Sequence, residues 1–278
     1  MRALIVPAPA KLNLFLHVTG RRPDGYHTLE SLFVALDFGD TLSLAVRDDG
    51  VVARLGEHPG LPAADDLAVR AAHALRQATG TTMGVDIAVV KRTPVGGGLG
   101  GGSSDAASVL LALNRLWGLR LSRAALARIG LGLGADVPFF LCGTPAIARG
   151  VGEQLTPVTL PALWVTVWVP PVAVSTPSIF ADPELTRDTA SAKMDVFSEG
   201  YGRNDLQPIA AARHPDIAVA LAALKKHAPL ARMTGSGACV FAPFGTARLA
   251  RAALAARPPG FAGFVARTLA RHPLADFA

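Results

Sequence analysis

The amino-acid sequence predicts an α+β protein built from two domains. At 278 residues the chain is long enough for two modest domains, and half of its residues are hydrophobic while only 17% are charged. Segments with strand and helix periodicity follow one another without the regular alternation that a doubly wound parallel sheet requires. The pattern changes after Gly150 and Gly152. We therefore expect one domain over residues 1–155 and a second over residues 156–278.

Composition and charge exclude several classes of protein. The 27 basic and 21 acidic residues give a net charge of +6, which favours anionic ligands, but the basic residues are scattered and form no nucleic-acid-binding motif. The longest apolar stretches, such as residues 162–174, are broken by prolines and stay shorter than the roughly 18 residues of a membrane span. Lys11 interrupts the apolar region that a signal peptide would need. We expect a cytoplasmic monomer or homodimer that binds neither nucleic acid nor a membrane.

The first predicted strand covers residues 10–18. Apolar side chains occupy every second position from Leu12 to Val18, and Lys11 and Asn13 fall on the opposite face. This period of two is typical of a half-buried strand and places Lys11 beside Asn13. A second strand is predicted over residues 27–36, after a turn-rich segment.

Capping residues and glycines predict the elements that follow. In the first half we expect a helix from Asp65 and Asp66 to Gly80, a strand over 83–91, a helix from Ser103 and Ser104 to about Trp117, a helix from Ser122, and a short helix after Asp136. In the second half we expect strands over 163–169, 239–242 and 261–266, and helices over 215–226 and 246–256.

A glycine-rich loop joins the strand at 83–91 to the next helix. Its residues are Pro94, Val95, Gly96, Gly97, Gly98, Leu99, Gly100, Gly101, Gly102, Ser103 and Ser104. Six glycines in eleven residues let the backbone approach a ligand and point several N–H groups at it. The following helix start adds unpaired N–H groups and a positive dipole end. We predict that all eleven residues form a phosphate-binding loop; the alternative is a flexible surface loop whose serines only cap a helix.

Two other phosphate-binding patterns fit less well. A P-loop needs a lysine before the Ser/Thr, whereas Gly102 precedes Ser103. The dinucleotide fingerprint is satisfied within the glycine run, but no acidic residue lies between Ala106 and Ala135, where the ribose-binding carboxylate would be expected. A dinucleotide-dependent oxidoreductase and a non-catalytic nucleotide sensor remain as alternatives to a kinase.

Phosphoryl transfer to an alcohol needs positive charge near the transferred group and an acceptor for the hydroxyl proton. Lys11 and Asp136 are the candidates for these two roles. From the pattern alone, Lys11 is equally compatible with a solvent-exposed position on a strand. Asp136 is equally compatible with an ordinary helix N-cap.

Three stretches together, residues 9–14, 94–104 and 234–239, resemble the three motifs of the GHMP kinases and occur in the same order. The resemblance implies an N-terminal domain like domain 2 of ribosomal protein S5 and a C-terminal ferredoxin-like α/β sandwich. It also implies ATP as phosphoryl donor and a small alcohol as acceptor, and a kinase needs Mg²⁺ to bridge the phosphates. By the same resemblance Asp136 would be the base, Lys11 would stabilise the activated alkoxide, and Asn13 would hold the acceptor's polyol.

Residues 22–27, 134–140 and 176–180 further resemble one branch of this family. The acceptor in that branch is the 2-hydroxyl of a methylerythritol linked to cytidine diphosphate, in the non-mevalonate route to isoprenoid precursors. The resemblance implies that Tyr26, His27 and Phe180 contact the cytosine. A GHMP kinase for another small alcohol is the alternative. Asp105 departs from the small residue that many members carry after the paired serines, and the sequence does not identify protein ligands for Mg²⁺.

Overall fold

A computed structural model describes residues 2–56, 61–191 and 202–278. The strands are β1 (Ala3–Arg21), β2 (His27–Arg47), β3 (Val52–Leu55), β4 (Gly84–Val90), β5 (Ala146–Arg149), β6 (Gln154–Pro157), β7 (Trp164–Val169), β8 (Arg232–Met233), β9 (Val240–Phe244) and β10 (Ala262–Leu269). The helices are α1 (Leu67–Thr79), α2 (Gly101–Leu116), α3 (Arg123–Leu131), α4 (Val137–Cys142), α5 (Thr176–Phe180), α6 (Gln207–Arg213), α7 (Pro215–Lys225) and α8 (Ala247–Ala255). Within these ranges no helix has both the length and the apolar character that crossing a membrane requires.

The strands form one mixed sheet in the order β3-β4-β2-β10-β7-β9-β8, with β1 and β5 also paired to β2. The β3–β4 pair is parallel and the pairs made by β2 are antiparallel. The last strand, β10, pairs with both β2 and β7, so it joins the sheet of the first half to that of the second. This mixture of helices and mainly antiparallel strands confirms the predicted α+β class. The division at residue 155 stays a prediction.

The predicted capping residues bound α1 and α3 as expected, whereas α2 starts earlier than predicted. The Asp66 carboxylate accepts a 2.9 Å bond from the Ala68 N–H at the start of α1, and Gly80 closes that helix with φ of 70°. Ser122 caps α3 through its side chain. Helix α2 begins at Gly101, two residues before the predicted start at Ser103, because Gly100 adopts the left-handed conformation that turns the chain into the helix.

Both faces of β1 are buried, which corrects the predicted half-buried strand. Leu12 lies in one hydrophobic core, yet Lys11 and Asn13 on the opposite face are also buried. The reason is that α2 packs against β1 while also contacting α1, α3 and α4. The polar face of the strand is therefore enclosed by protein, and its charged residue needs partners.

Candidate active site

A cavity of about 330 Å³ is lined by residues from all three stretches that resemble the GHMP kinase motifs, residues 9–14, 94–104 and 234–239. Its lining includes Lys11, Asn13, Gly96, Gly98, Gly100, Ser103, Asp136, Phe180, Gly235, Ser236 and Gly237. These residues come from both halves of the chain, as far apart as β1 and the turn before β9. The predicted phosphate loop, the predicted catalytic pair and one predicted base contact therefore share one space.

Lys11 is a buried cation with specific partners. Its side-chain Nζ donates to Asn13 Oδ1 at 2.6 Å and lies 3.4 Å from Asp136 Oδ2, and the residue is 3% exposed. The ammonium also lies over the Phe33 ring, 5.1 Å from its centroid. The Lys11 main-chain N–H donates to the Leu99 carbonyl at 2.9 Å, which ties β1 to the glycine loop. These contacts rule out the solvent-exposed lysine that the sequence left open.

Asp136 occupies the N-cap position of α4 but makes no capping hydrogen bond with its side chain. Pro138 lies in the first turn and has no N–H for a cap to satisfy. The carboxylate instead faces Lys11, and its side chain is 33% exposed, so one side of it remains open to the cavity. It can accept a proton from a group bound there.

Asn13 is held from three directions. Its Nδ2 donates to Ser31 Oγ at 2.8 Å, and Ser31 in turn donates to the Phe15 carbonyl at 2.6 Å. The Asn13 main-chain N–H donates to Thr234 Oγ1 at 2.9 Å. Since Oδ1 accepts from Lys11, this network fixes the orientation of the amide and aligns the lysine.

The glycines of the loop are required by backbone conformation and by close packing. Gly96, Gly98 and Gly100 all have φ between 70° and 75°. A Cβ on Gly98 would lie 2.3 Å from the Thr234 carbonyl oxygen, and one on Gly100 would lie 3.0 Å from Lys11 Cγ. A side chain at position 98 would collide with the Thr234 turn, and one at position 100 would lie in tight contact with Lys11, so glycine lets the loop approach both β1 and that turn.

The turn at residues 234–237 closes the loop from the other half of the chain. The N–H groups of Ala238 and Cys239 donate to the carbonyls of Gly96 and Gly97 at 3.3 and 3.2 Å. Buried Asn204 donates to the carbonyls of Met233 and Gly235 at 2.9 and 2.8 Å, which holds the turn in place. Sequence reasoning missed Asn204, because an isolated asparagine before a helix carries no signal beyond a cap.

The remaining loop residues have other environments. Among the described residues, the cavity lining does not include Pro94, Val95, Gly97, Leu99, Gly101, Gly102 or Ser104. Leu99 is buried in the core, whereas Val95 is 88% exposed. Ser104 is fully buried within the first turn of α2, and its hydroxyl has no hydrogen-bond partner in the described part of the chain. Of the two serines, Ser103 is the one that reaches the cavity.

Asp105 belongs to an ionic cluster behind the loop. Lys91 Nζ lies 2.7 Å from Asp105 Oδ2 and 2.5 Å from Asp40 Oδ2, and Asp40 also accepts from the main-chain N–H groups of Arg92 and Thr93. Burial raises the pKa of Asp105 to about 7, with Lys91 opposing the shift and Asp40 adding to it. The cluster fastens the end of β4 to α2 just after its first turn, so it secures both ends of the loop.

Of the predicted base contacts, Phe180 lines the other end of the cavity and His27 packs beside it. The rings of His27 and Phe180 are 5.1 Å apart with an interplanar angle of 31°. Arg187 donates from Nε to His27 Nε2 at 3.0 Å and from an η nitrogen to the Phe180 carbonyl at 3.1 Å. Tyr26 is 66% exposed, and within the described ranges the cavity lining includes neither Tyr26 nor His27. The structure thus brings His27 to Phe180 and leaves Tyr26 at the surface.

Comparison with known proteins identifies the family. The model of the GHMP kinases N-terminal domain matches residues 66–144, and that of the GHMP kinases C-terminal domain matches residues 185–259. A 4-diphosphocytidyl-2-C-methyl-D-erythritol kinase of Cupriavidus necator is 59% identical over 98% of this chain and 95% of its own length. The protein of the same name from Ralstonia pickettii is 56% identical over 98% of this chain and 96% of its own length.

Solved structures agree with the sequence comparison. The crystal structure of a 4-(cytidine 5'-diphospho)-2C-methyl-D-erythritol kinase matches with a TM-score of 0.84 and 34% identity, covering 95% of this chain and 99% of that one. A homoserine kinase from Cytophaga hutchinsonii matches with a TM-score of 0.69 and 19% identity, covering 98% of this chain and 96% of that one, and shares the fold. This chain belongs to the 4-diphosphocytidyl-2-C-methyl-D-erythritol kinase family within the GHMP kinases.

Proposed function

We propose that the chain transfers the γ-phosphoryl group of ATP to the 2-hydroxyl of 4-diphosphocytidyl-2-C-methyl-D-erythritol, a step toward isoprenoid precursors. The observation that carries the proposal is the buried Lys11–Asp136 pair, which faces the glycine loop across one cavity. Family membership supports the choice of acceptor. The dinucleotide-dependent oxidoreductase considered from the sequence has no support from the family.

Asp136 would receive the proton of the acceptor hydroxyl. Its carboxylate is partly open to the cavity, and Lys11 lies 3.4 Å from Oδ2. As the hydroxyl oxygen gains negative charge, the Lys11 ammonium stabilises it from a buried position where water screens little. Asn13 keeps the ammonium aligned through the 2.6 Å bond, and its fixed amide also lies where it could contact the polyol of the acceptor.

The glycine loop would hold the triphosphate. Its left-handed glycines and the start of α2 provide main-chain N–H groups without side chains to obstruct an anion. The Ser103 hydroxyl reaches the same space. Because the turn at residues 234–237 is bonded to the loop, the phosphate site is closed from both halves of the chain.

Mg²⁺ would accompany the nucleotide. In the residues that the structure describes, no three His, Cys, Asp or Glu side chains cluster as a metal site. A cation that keeps several waters and binds substrate phosphates needs only one or two protein oxygens, which Ser103 and Asp136 can offer. When bound, the ion would neutralise charge on the transferred phosphoryl group.

The cytosine would bind at the His27–Phe180 end of the cavity. The Phe180 ring provides an apolar face for stacking, and a histidine can read a base edge by hydrogen bonds. Tyr26 would join only if the turn before β2 moves toward the cavity when substrate binds.

The test is direct phosphoryl transfer by wild type and Asp136→Asn. Wild type should phosphorylate the cytidyl alcohol, while mevalonate and homoserine under the same conditions should not be phosphorylated. Asp136→Asn should lower kcat by at least about a hundredfold, because a general base and its positioning are lost, and should leave ATP binding by calorimetry unchanged. Near-normal turnover by the variant would show that the proton leaves by another route. Turnover of mevalonate or homoserine alone would assign a different acceptor.

A further inference from the structure

Arg187 connects the start of β2 to the end of α5, where Phe180 lines the cavity. Its Nε donates to His27 Nε2 at 3.0 Å. Its η nitrogens donate to the carbonyls of Phe180, Asp182 and Leu185 at 3.1, 2.6 and 3.0 Å. One side chain therefore fixes the imidazole at the start of β2 and the main chain around the end of α5.

The bond from Arg187 determines which nitrogen of His27 carries a proton. A guanidinium has five N–H donors and no acceptor, and it stays charged at all relevant pH values. Its partner Nε2 must therefore be an acceptor, so the imidazole is neutral and its single proton resides on Nδ1. Burial lowers the pKa of His27, and the charges of Arg187 and Arg21 lower it further, which keeps the ring neutral.

We propose that Arg187 is a positioning residue that sets base specificity, by holding His27 as an Nδ1–H donor beside Phe180. The proposal rests on the proposed function, since it assumes that the cytosine of the acceptor binds against these two rings. Cytosine presents an acceptor at ring nitrogen N3, whereas uracil carries N3–H. The fixed Nδ1–H of His27 can donate to N3 of cytosine. Against uracil the same N–H would face N3–H, so two donors would oppose each other without an acceptor between them.

A purely structural role for Arg187 makes different predictions. Arg213 supplies a matched control because it fastens the same segment without touching His27. It donates to the Ser178 carbonyl at 3.0 Å and pairs with the Asp182 carboxylate. If Arg187 only secured the chain near α5, loss of either arginine should have similar effects on nucleotide binding.

The experiment compares wild type, Arg187→Met, Arg187→Lys and Arg213→Met. Nitrogen-15 NMR of the free proteins should show His27 protonated at Nδ1 in wild type and Arg213→Met, and a mixture of tautomers in Arg187→Met. Calorimetry with cytidine diphosphate and uridine diphosphate should show a preference for the cytidine nucleotide that falls by about tenfold in Arg187→Met, the size of one hydrogen bond. Arg187→Lys keeps a charged donor and should restore part of the preference.

The pH dependence gives a further readout. Without Arg187 the pKa of His27 should return toward its ordinary value of about 6.5. Because an imidazolium carries N–H on both ring nitrogens, the cytidine diphosphate affinity of Arg187→Met should rise as the pH is lowered and His27 takes up a proton, whereas wild type and Arg213→Met should stay level over the same range.

Two results would overturn the proposal. One is an unchanged Nδ1–H tautomer and unchanged base preference in Arg187→Met; the other is an equal loss of preference in Arg213→Met. Failure of the proposed function would look different, because wild type would then bind neither pyrimidine nucleotide while the NMR result for His27 still stood.

Discussion

The two ends of the cavity are built in different ways. At the reactive end, Lys11 and Asn13 are buried in β1 and each is bonded to neighbours that are themselves fixed by the main chain. At the base end, His27 and Phe180 are half-buried and are joined to each other through the side chain of Arg187. The first arrangement is complete without substrate, while the second brings two segments together through one ring contact and one arginine side chain.

This difference follows from what each end has to do. Charge that develops during phosphoryl transfer is best stabilised by groups that do not reorganise, so the reactive end is enclosed and densely bonded. A base has to enter and leave, which favours a more exposed site. Substitutions at the reactive end should therefore lower turnover, and substitutions at the base end should lower affinity for the acceptor.

The largest effect is expected from Lys11→Met. Removing the buried ammonium takes away the charge that faces Asp136, and kcat should fall by at least about a hundredfold. The ATP dissociation constant, measured by calorimetry, should change much less. Equal losses in kcat and ATP affinity would instead place Lys11 in ground-state nucleotide binding and would weaken the contrast between the two ends.

A smaller effect is expected from Gly98→Ala, with Gly118→Ala as its matched control. Both glycines have positive φ, 75° and 67°, so both variants should lose about 1 kcal/mol of stability through backbone strain. Only at Gly98 would the new methyl collide with the Thr234 carbonyl, since a Cβ at Gly118 meets nothing within 4 Å.

Steady-state kinetics should separate the two variants. The KM for ATP should rise by about tenfold or more in Gly98→Ala, because the phosphate loop is displaced. In Gly118→Ala the KM for ATP should stay close to wild type. Similar KM values in both variants would mean that close packing of the loop against the Thr234 turn does not shape the phosphate site.

At the base end, Phe180→Leu should act on affinity. Stacking on an aromatic ring is worth about 1 to 3 kcal/mol, so the KM for the cytidyl acceptor should rise by about fivefold to 150-fold. Turnover at saturation and the KM for ATP should stay near wild type, because the reactive end is untouched. A drop in kcat without a change in acceptor KM would show that the base end does not act on acceptor affinity alone and would contradict the contrast between the two ends.

The last prediction concerns stability at acid pH, away from both ends of the cavity. His272 is buried beside α4, the helix that follows Asp136, and accepts a 3.0 Å bond from the Leu274 N–H. Burial, followed by the charge of Arg123, lowers its pKa to about 4. The unfolded chain takes up a proton near pH 6.5 and the folded chain near pH 4, so stability should fall as pH decreases between these values, by up to about 3 kcal/mol.

Urea unfolding at pH 7 and at pH 4.5 would measure this loss. His272→Asn keeps an acceptor for the Leu274 N–H but does not titrate, so its stability should depend less on pH. If the variant and wild type lose the same stability on acidification, other groups account for the acid sensitivity.

Local patterns in the sequence predicted the elements that carry the site. Alternation around Lys11 placed it beside Asn13 on one strand, and the glycine run between a strand and a helix predicted the loop. Capping chemistry located α1 and α3, because those signals act within one helical turn.

Long-range contacts were not predictable from local patterns. Arg187 and His27 are 160 residues apart, and nothing near Arg187 in the sequence indicates a partner. Burial of the polar face of β1 depends on where α2 packs, and Asn204 acts through a turn that follows it by about 30 residues. Prediction of the full site required a family resemblance over nearly the whole chain in addition to the local patterns.

The central claim is that the glycine loop holds the triphosphate and directs it toward Asp136. A crystal structure with a non-hydrolysable ATP analogue and the cytidyl acceptor tests this most directly. We expect the terminal phosphate against the main-chain N–H groups of the loop, the acceptor hydroxyl facing the Asp136 carboxylate, and the cytosine between His27 and Phe180. A triphosphate bound away from the loop, or an acceptor hydroxyl remote from Lys11 and Asp136, would contradict the account.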